Sequence, residues 1–322
     1  MPGWRNRKMQ RTKIRRPHGP GGSNSLRAPM YAISIETSAA IQGVKNTMTY
    51  RRRPNKCNER DKMSDGPIRA VADTLRDLHN YWSFHRAHKN NHYRGVYKSY
   101  KEAVAALPPS QLHGFDHASV GEFFAATHFV FNQSDYPILF WLSQLLKPGQ
   151  TLFDFGGGVG QCFYLYQKFL PLPERMRWHV CEIEAVGQRG QKVAAEKKAE
   201  GITFTTRFDE AAGAAILLTS GALHYMEPEL SELLAQLPDP PKHVLVNRVP
   251  MYDGETYYTV QRSQHSFLAH KVMNVAGFVR GMERINYEKI DEWSLPRSLR
   301  IPFHPRRFVP NFRGFYFRRR EL

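Results

Sequence analysis

The sequence predicts an α/β fold in which a mostly parallel sheet carries helices on both faces. Three observations predict it. Strand and helix patterns alternate from residue 151 to the end of the chain. The first of these strands leads directly into a glycine-rich turn that opens a helix, and the second ends on an acidic residue. Sheets of this kind bind ligands at the carboxyl ends of their strands, so both features are expected at one edge.

Apolar runs and turn residues define each element of this series. Pro171 and Pro173 end the first helix, and Gly201 ends the second. A loop is predicted between residue 247 and the helix that begins at Val275. The predicted strands are 151–155, 178–183, 202–206, 214–220, 243–247, a strand near 288–293, and 314–318. The predicted helices are 159–170, 186–200, 229–237 and 275–285.

Residues 66–150 are predicted to form a helical cap ahead of the domain 151–322. Val71, Leu75 and Leu78 follow a helical spacing, and Pro137 lies in the first turn of a further helix. Residues 1–65 combine basic residues with Pro, Gly, Ser and Asn and have no sustained apolar period. Such a segment buries too little apolar surface to offset its ordering entropy, so a disordered basic tail is expected.

The formal charge of +17 is concentrated in this tail. Residues 1–64 contain 15 Lys and Arg against three acidic residues, which accounts for +12 of the total. Residues 65–322 are therefore only mildly basic, and nucleic-acid binding is expected only from the tail. Three interpretations of the tail stay open: a basic binding arm, a targeting segment, or an over-long gene start ahead of Met63.

Several other classes of protein are disfavoured by composition. Cys57, Cys162 and Cys181 are few and far apart, which argues against a disulfide framework or a cysteine-based zinc site. No His, Asp and Glu spacing specifies a metal. The richest apolar run, 137–146, is too short to span a bilayer, and no apolar core follows the N-terminal charges. We therefore expect no metal, no membrane span and a cytoplasmic protein.

The central motif is Asp154-Phe155-Gly156-Gly157-Gly158-Val159-Gly160. Glycines at a strand–helix turn allow a sharp bend and bring backbone N–H groups close to a ligand. A dinucleotide fingerprint would need a further glycine or alanine, but Gln161 and Phe163 occupy the two places where it would fall. S-adenosylmethionine has no pyrophosphate and does not need it. Its carboxylate suits the loop N–H groups, and its ammonium suits Asp154.

The rest of the predicted cofactor site lies at the ends of the next strands. Glu182 ends the second strand, where a carboxylate accepts hydrogen bonds from ribose hydroxyls. Asp209 follows the third strand and is expected near the adenine amino group. Ser220, Gly221 and Ala222 follow the fourth strand and are expected to line the cleft.

Candidate residues for a second substrate, which would accept a group from S-adenosylmethionine, lie in three loops. His224 is a candidate general base for a hydroxyl or amine acceptor, and a purely structural role stays open. His304 is a second candidate. Arg248, Tyr252 and Arg306 are candidate substrate residues, with structural roles as the alternative.

Taken together, these motifs resemble a bacterial family of class I S-adenosylmethionine-dependent methyltransferases. The resemblance covers residues 94–319 and implies a Rossmann-like methyltransferase fold with S-adenosylmethionine as cofactor. Members are similar to proteins found near polysaccharide-biosynthesis genes, which implies a small-molecule or saccharide acceptor, such as a sugar or glycolipid. The residues that carry the resemblance are Ser134-Asp135-Tyr136-Pro137, Phe140-Trp141-Leu142, the strand and glycine loop at 153–160, Trp178-His179-Val180-Cys181-Glu182, Ser220-Gly221-Ala222-Leu223-His224-Tyr225, Asn247-Arg248-Val249-Pro250 and Ile301-Pro302-Phe303-His304-Pro305.

Two other functions remain as alternatives. An NAD(P)-dependent oxidoreductase shares the strand–loop–helix, although the fingerprint is incomplete. A nucleic-acid-binding protein would act through the basic tail, and its affinity would fall steeply with salt.

Overall fold

The structure is a computed structural model of the chain. It describes residues 67–86, 92–109, 112–126, 130–263 and 266–321. The three interpretations of the basic tail lie outside these residues.

The described residues form ten strands and eight α-helices. The strands are β1 (His92–Tyr97), β2 (Thr151–Phe155), β3 (Arg177–Cys181), β4 (Ile202–Thr205), β5 (Ile216–Ser220), β6 (His243–Tyr252), β7 (Tyr257–Arg262), β8 (Phe267–Asn274), β9 (Tyr287–Leu295) and β10 (Phe312–Arg319). The helices are α1 (Pro67–Arg86), α2 (Tyr100–Ala105), α3 (Ala118–Ala126), α4 (Asp135–Leu145), α5 (Gln161–Tyr166), α6 (Glu184–Lys197), α7 (Leu230–Ala235) and α8 (Val275–Arg284).

A Rossmann-like sheet lies at the centre of the fold. Strands β4, β3, β2, β5 and β6 are neighbours in that order, and all are parallel. β10 pairs antiparallel with β6 and carries β9 on its other side. The order reverses at β2, between β3 and β5, and the carboxyl edge at such a switch point is where these sheets bind ligands. The predicted α/β fold class is confirmed.

Helices pack on both faces of this sheet because its strands are buried on both sides. On β2, Leu152 and Phe153 are both fully buried but belong to different cores. Phe153 shares its core with α7 and α8, whereas Leu152 shares its core with α4, α5 and α6. Burial of such a side chain contributes about 2 kcal/mol, so a one-residue slip, which exchanges the two faces, would be costly.

A small antiparallel sheet extends the carboxyl end of β6. β7 pairs with both β1 and β8, and β8 runs parallel to β6 where Met251 meets Met273. The prediction of a loop after residue 247 is therefore wrong, because β6 continues to Tyr252 and is followed by β7 and β8. Seven of the eight residues of β8 are buried. Such a strand lacks the alternation of apolar and polar residues that identifies a half-buried strand from sequence.

The segment before the central sheet contains helices α1 to α4, but it also contains β1, which the helical pattern did not predict. Elsewhere the predicted elements differ from the observed ones mainly at their ends. The largest difference is in α5, which was predicted for 159–170 but spans only Gln161–Tyr166. It begins after Gly160, which has a left-handed backbone with φ of +90°. Among the residues described, no helix is both long enough and apolar enough to cross a membrane.

Candidate functional site

A cavity of about 1560 Å³ opens at the carboxyl edge of the parallel strands. Its floor is the glycine loop after β2 together with the ends of β3 and β5. Its far side comes from α2, from the segment around α3, and from β7 and β8. The antiparallel extension of β6 therefore lies over the edge where the sheet order reverses.

The glycine loop needs glycine mainly because of the protein's own packing. Gly156, Gly158 and Gly160 have φ of +71°, +60° and +90°, values that residues other than glycine rarely adopt. A Cβ on Gly156 would lie 2.2 Å from the Cβ of Ala222, and one on Gly158 would lie 2.1 Å from Oε1 of Gln161. The loop thus lies directly against the segment that follows β5.

Glu182 at the end of β3 points to this loop. Its Oε2 accepts the N–H of Gly158 at 2.8 Å, and its Oε1 accepts the N–H of Ile183 at 2.9 Å. Burial raises the pKa of the carboxyl, and the two N–H donors partly offset that rise. Since each carboxylate oxygen has two lone pairs, each retains one acceptor position on the border of the cavity.

Asp154 lies beneath the loop and is fully buried. Its Oδ2 accepts the indole N–H of Trp178 at 2.9 Å, but its Oδ1 has no partner in the described structure. Burial raises the pKa of this carboxyl to about 7, and the nearby charge of Glu182 raises it further, against the opposing effects of Trp178 and Arg248. A buried acceptor without a donor is costly, so Oδ1 is an unsatisfied polar atom beneath the loop.

The backbone N–H groups of the loop are only partly free. Gly156 donates to the carbonyl of Cys181, Gly158 to Glu182, and Gly160 to the carbonyl of Gly157. Within the part of the chain that the structure covers, the N–H groups of Gly157 and Val159 make no hydrogen bond. The loop thus offers few donors to an anion, and α5, with six residues, adds only a weak dipole.

The segment after β5 and a bulge in β6 form the wall beside the loop. Ser220, Gly221 and Ala222 line the cavity as predicted. Arg248 lies where the pairing of β6 with β10 shifts register, and its φ is +58°. The side chain of Asn247 anchors this bulge, because it donates to the carbonyl of Ser134 at 3.0 Å.

The bulge turns Arg248 into the cavity. Its Nε donates to the hydroxyl of Ser220 at 2.8 Å. A left-handed backbone at a residue other than glycine costs about 1–2 kcal/mol. Strain of this size is typical of functional sites.

His224 borders the same cavity in a short 3₁₀ turn after β5. Its ring lies 4.5 Å from that of His270 on β8, measured between centroids. Burial, His270 and the positive charges of Arg297 and Arg248 hold the pKa of His224 well below its usual range. The side chain is therefore a neutral imidazole. The buried Lys271 ties the following loop to β8, since its Nζ donates to the carbonyl of Glu227 at 2.7 Å.

Asp209 is not brought to the cavity. β4 ends at Thr205, so Thr206 borders the cavity, whereas Asp209 lies in an exposed 3₁₀ turn. Its carboxylate accepts the Nε–H of Arg207 at 3.1 Å. The expectation that Asp209 contacts adenine is corrected, because the turn after β4 leads away from the edge of the sheet.

His304, Arg306 and Tyr252 also lie outside the cavity. His304 and Arg306 are exposed in a short turn between β9 and β10. The hydroxyl of Tyr252 donates to the carbonyl of Glu255 at 2.6 Å and is contacted by Arg307. Tyr252 lies outside because β6 runs on to this residue, beyond the edge of the central sheet, whereas His304 and Arg306 belong to the turn between β9 and β10. None of the three borders the predicted acceptor site.

The sequence interpretation missed a polar group on the far side of the cavity. Gln261 on β7 and Arg297 after β9 line the cavity, and His270 lies behind them. The only sequence signal was the presence of Gln and His inside two apolar strands that were not recognised. No group of three or more His, Cys, Asp or Glu that fits a metal occurs in the residues placed by the structure.

Neither a protein-family model nor a curated protein matches this chain. Several solved structures show a partial likeness. Magnesium protoporphyrin IX methyltransferase from Synechocystis, with bound S-adenosylhomocysteine, is 14% identical and covers 58% of this chain and 82% of its own, with a TM-score of 0.40.

Two further structures are similar at the same level. The 1,6-didemethyltoxoflavin-N1-methyltransferase of Burkholderia thailandensis is 12% identical, covers 80% of this chain and 91% of its own, and has a TM-score of 0.43. The CcbJ methyltransferase of Streptomyces caelestis is 11% identical, covers 64% and 98%, and also has a TM-score of 0.43. At such identities and TM-scores these likenesses carry no conclusion about activity.

Proposed function

We propose that the protein transfers a methyl group from S-adenosylmethionine to a small-molecule acceptor. One observation carries the proposal: a buried carboxyl with an unpaired oxygen, Asp154, lies beneath a side-chain-free loop at the carboxyl edge of the sheet. When bound, S-adenosylmethionine supplies a methyl group on a sulfonium, which is already activated for in-line transfer.

The residues present fit the parts of this cofactor. The unpaired Oδ1 of Asp154 suits its ammonium group, and the free N–H groups of Gly157 and Val159 suit its carboxylate. Glu182 retains an acceptor position on each oxygen for the two ribose hydroxyls. The loop holds Glu182 in place before a ligand arrives, so little ordering entropy is lost on binding.

The same contacts disfavour a dinucleotide. A pyrophosphate needs several N–H donors, but Gly156, Gly158 and Gly160 already donate to protein acceptors. It would also lie against the buried carboxyl of Asp154, whose negative charge, when ionised, repels phosphates. We therefore favour a methyltransferase over the NAD(P)-dependent oxidoreductase.

His224 supports an acceptor that loses a proton, such as a hydroxyl or an amine. Its ring is neutral and borders the cavity, so it can accept a proton from the acceptor. The aromatic side chains of Phe115, Tyr225 and Phe267 line the same space and exclude water. The family resemblance favours a sugar or glycolipid among such acceptors.

Mass spectrometry of the purified protein tests the cofactor. We expect S-adenosylmethionine or S-adenosylhomocysteine to co-purify, and S-adenosylhomocysteine to bind the stripped protein in calorimetry. NADH fluorescence serves as the opposing assay. Binding of NADH without binding of S-adenosylhomocysteine would reject the proposal.

A further inference from the structure

The far side of the cavity contains a compact group of polar side chains away from the glycine loop. His224, Tyr225, Gln261 and Arg297 border the cavity. The ring of His224 lies 4.1 Å from that of Tyr225 and 4.5 Å from that of His270, between centroids. The segments that follow β5 and β9, together with strands β7 and β8, thus contribute to this side of the cavity.

Three buried atoms of this group lack a hydrogen-bond partner in the part of the protein that is described. They are Nδ1 of His224, Nδ1 of His270 and Oε1 of Gln261. Gln261 and His270 are each 1% exposed. Unpaired polar atoms are rare in protein interiors and are explained by a ligand or by ordered water. The group therefore forms a polar subsite in an otherwise aromatic cavity.

Arg297 gives this subsite a positive charge. Its guanidinium stacks on Phe312 at 5.0 Å and forms no ion pair with any carboxylate of the described residues. Among the residues that the structure describes, Arg248 likewise has only the hydroxyl of Ser220 as a side-chain partner. By contrast, Arg300 pairs with Asp77 at 2.6 Å outside the cavity.

We propose that the methyl acceptor carries an anionic group, a carboxylate or a phosphate, that Arg297 binds beside the hydroxyl or amine facing His224. This inference deepens the proposed function and depends on it. A planar guanidinium with free N–H donors suits either anion through paired hydrogen bonds. The contact with Phe312 restrains the guanidinium and so limits the positions that an anion can take.

An anion at this place also suits the two histidines. Burial and the charge of Arg297 lower the pKa of His270 to about 3, and Arg297 and Arg248 contribute to the low pKa of His224. A bound anion offsets this positive potential. The imidazole of His224 then holds an incoming proton more easily than it does in the empty cavity.

Matched small probes test the proposal on the full-length protein saturated with S-adenosylhomocysteine. Benzoate and phenyl phosphate supply the two anions on the same ring, and benzyl alcohol is the neutral control. By calorimetry we expect one or both anions to bind at least about tenfold more tightly than benzyl alcohol. Whichever of the two anions binds more tightly identifies the chemistry of the acceptor.

Three variants assign the preference to Arg297. Arg297→Gln should remove the preference for the anion, whereas Arg297→Lys should retain only part of it, because the charge stays but the paired hydrogen bonds and the stacking are lost. Arg306→Gln is the matched control, because Arg306 is exposed, as Arg297 is, but lies outside the cavity. It should leave the preference unchanged. In all three variants the affinity for S-adenosylhomocysteine should equal that of the wild type.

Equal affinity for the anionic and neutral probes, or no detectable binding of either anion, overturns the proposal. So does an anion preference that survives in Arg297→Gln or is lost in Arg306→Gln. These outcomes are distinct from failure of the proposed function, which would appear as loss of S-adenosylhomocysteine binding by the wild-type protein.

Discussion

Replacing Asp154 with asparagine separates the stability of the fold from binding of the cofactor. Asp154 is fully buried, and only one of its oxygens has a partner among the described residues. In Asp154→Asn the amide oxygen still accepts the indole N–H of Trp178, while the NH₂ group replaces the unpaired oxygen. The variant therefore loses the charge but keeps the shape of the site.

The pKa of Asp154 gives the size of the effect. It rises from 3.8 to about 7 on folding, so the folded protein holds a proton that the unfolded chain releases between these values. The wild-type free energy of unfolding therefore falls as pH rises, by about 1.4 kcal/mol per pH unit, and becomes flat above about pH 7. Between pH 5 and pH 8 the variant should gain about 3 kcal/mol relative to the wild type. The unpaired amide costs about 1–3 kcal/mol, but it does so equally at both pH values.

Urea unfolding of the stripped protein at pH 5 and pH 8 measures this gain. Calorimetry with S-adenosylhomocysteine measures the second effect, a loss of affinity of at least about tenfold, because an N–H donor now faces the ammonium group. A stability difference that does not change with pH would show that the carboxyl is ionised normally. Unchanged affinity would refute the assignment of Asp154 to the ammonium.

Three other substitutions test the remaining parts of the site. Gly158→Asp should abolish S-adenosylhomocysteine binding in calorimetry, because a Cβ there meets Gln161 and the added charge faces Glu182. Gly149→Asp is the control and should bind normally, because Gly149 also has a positive φ but a Cβ there has nothing within 4 Å. Glu182→Gln should lower the affinity for S-adenosylhomocysteine at least about tenfold, since one amide cannot accept from both backbone donors and the ribose. An unchanged affinity would place the ribose elsewhere. His224→Asn should lower the rate of methyl transfer by a factor of about 10² to 10⁴ in assays with labelled methyl donor and a metabolite extract, with S-adenosylhomocysteine affinity intact. An unchanged rate would assign the histidine to structure alone.

The succession of elements along the chain was enough to predict the side of the cavity that we assign to the cofactor. Strand β2, the glycine loop and the strand that ends at Glu182 follow one another within some thirty residues. In a parallel sheet the ends of neighbouring strands meet at one edge, so their placement follows once the strands are recognised. Asp154, Glu182 and the segment from Ser220 to His224 accordingly border one cavity.

The acceptor side depended on tertiary structure. Asp209, His304 and Arg306 have suitable chemistry, but the direction of a loop after its strand is set by packing, and these loops lead away from the cavity. His270 and Gln261 lie on strands buried on both faces, where the alternation that identifies a strand is absent.

The sequence by itself therefore determined the fold class and the edge of the sheet at which the cavity opens, because both follow from short-range patterns. Only the tertiary structure decided which charged side chains border that cavity. Arg297 is distant in sequence from the glycine loop and from His224, and it reaches their cavity through the pairing of β9 with β10 and of β10 with β6. Such contacts arise from long-range strand pairing, which no local pattern of residues specifies.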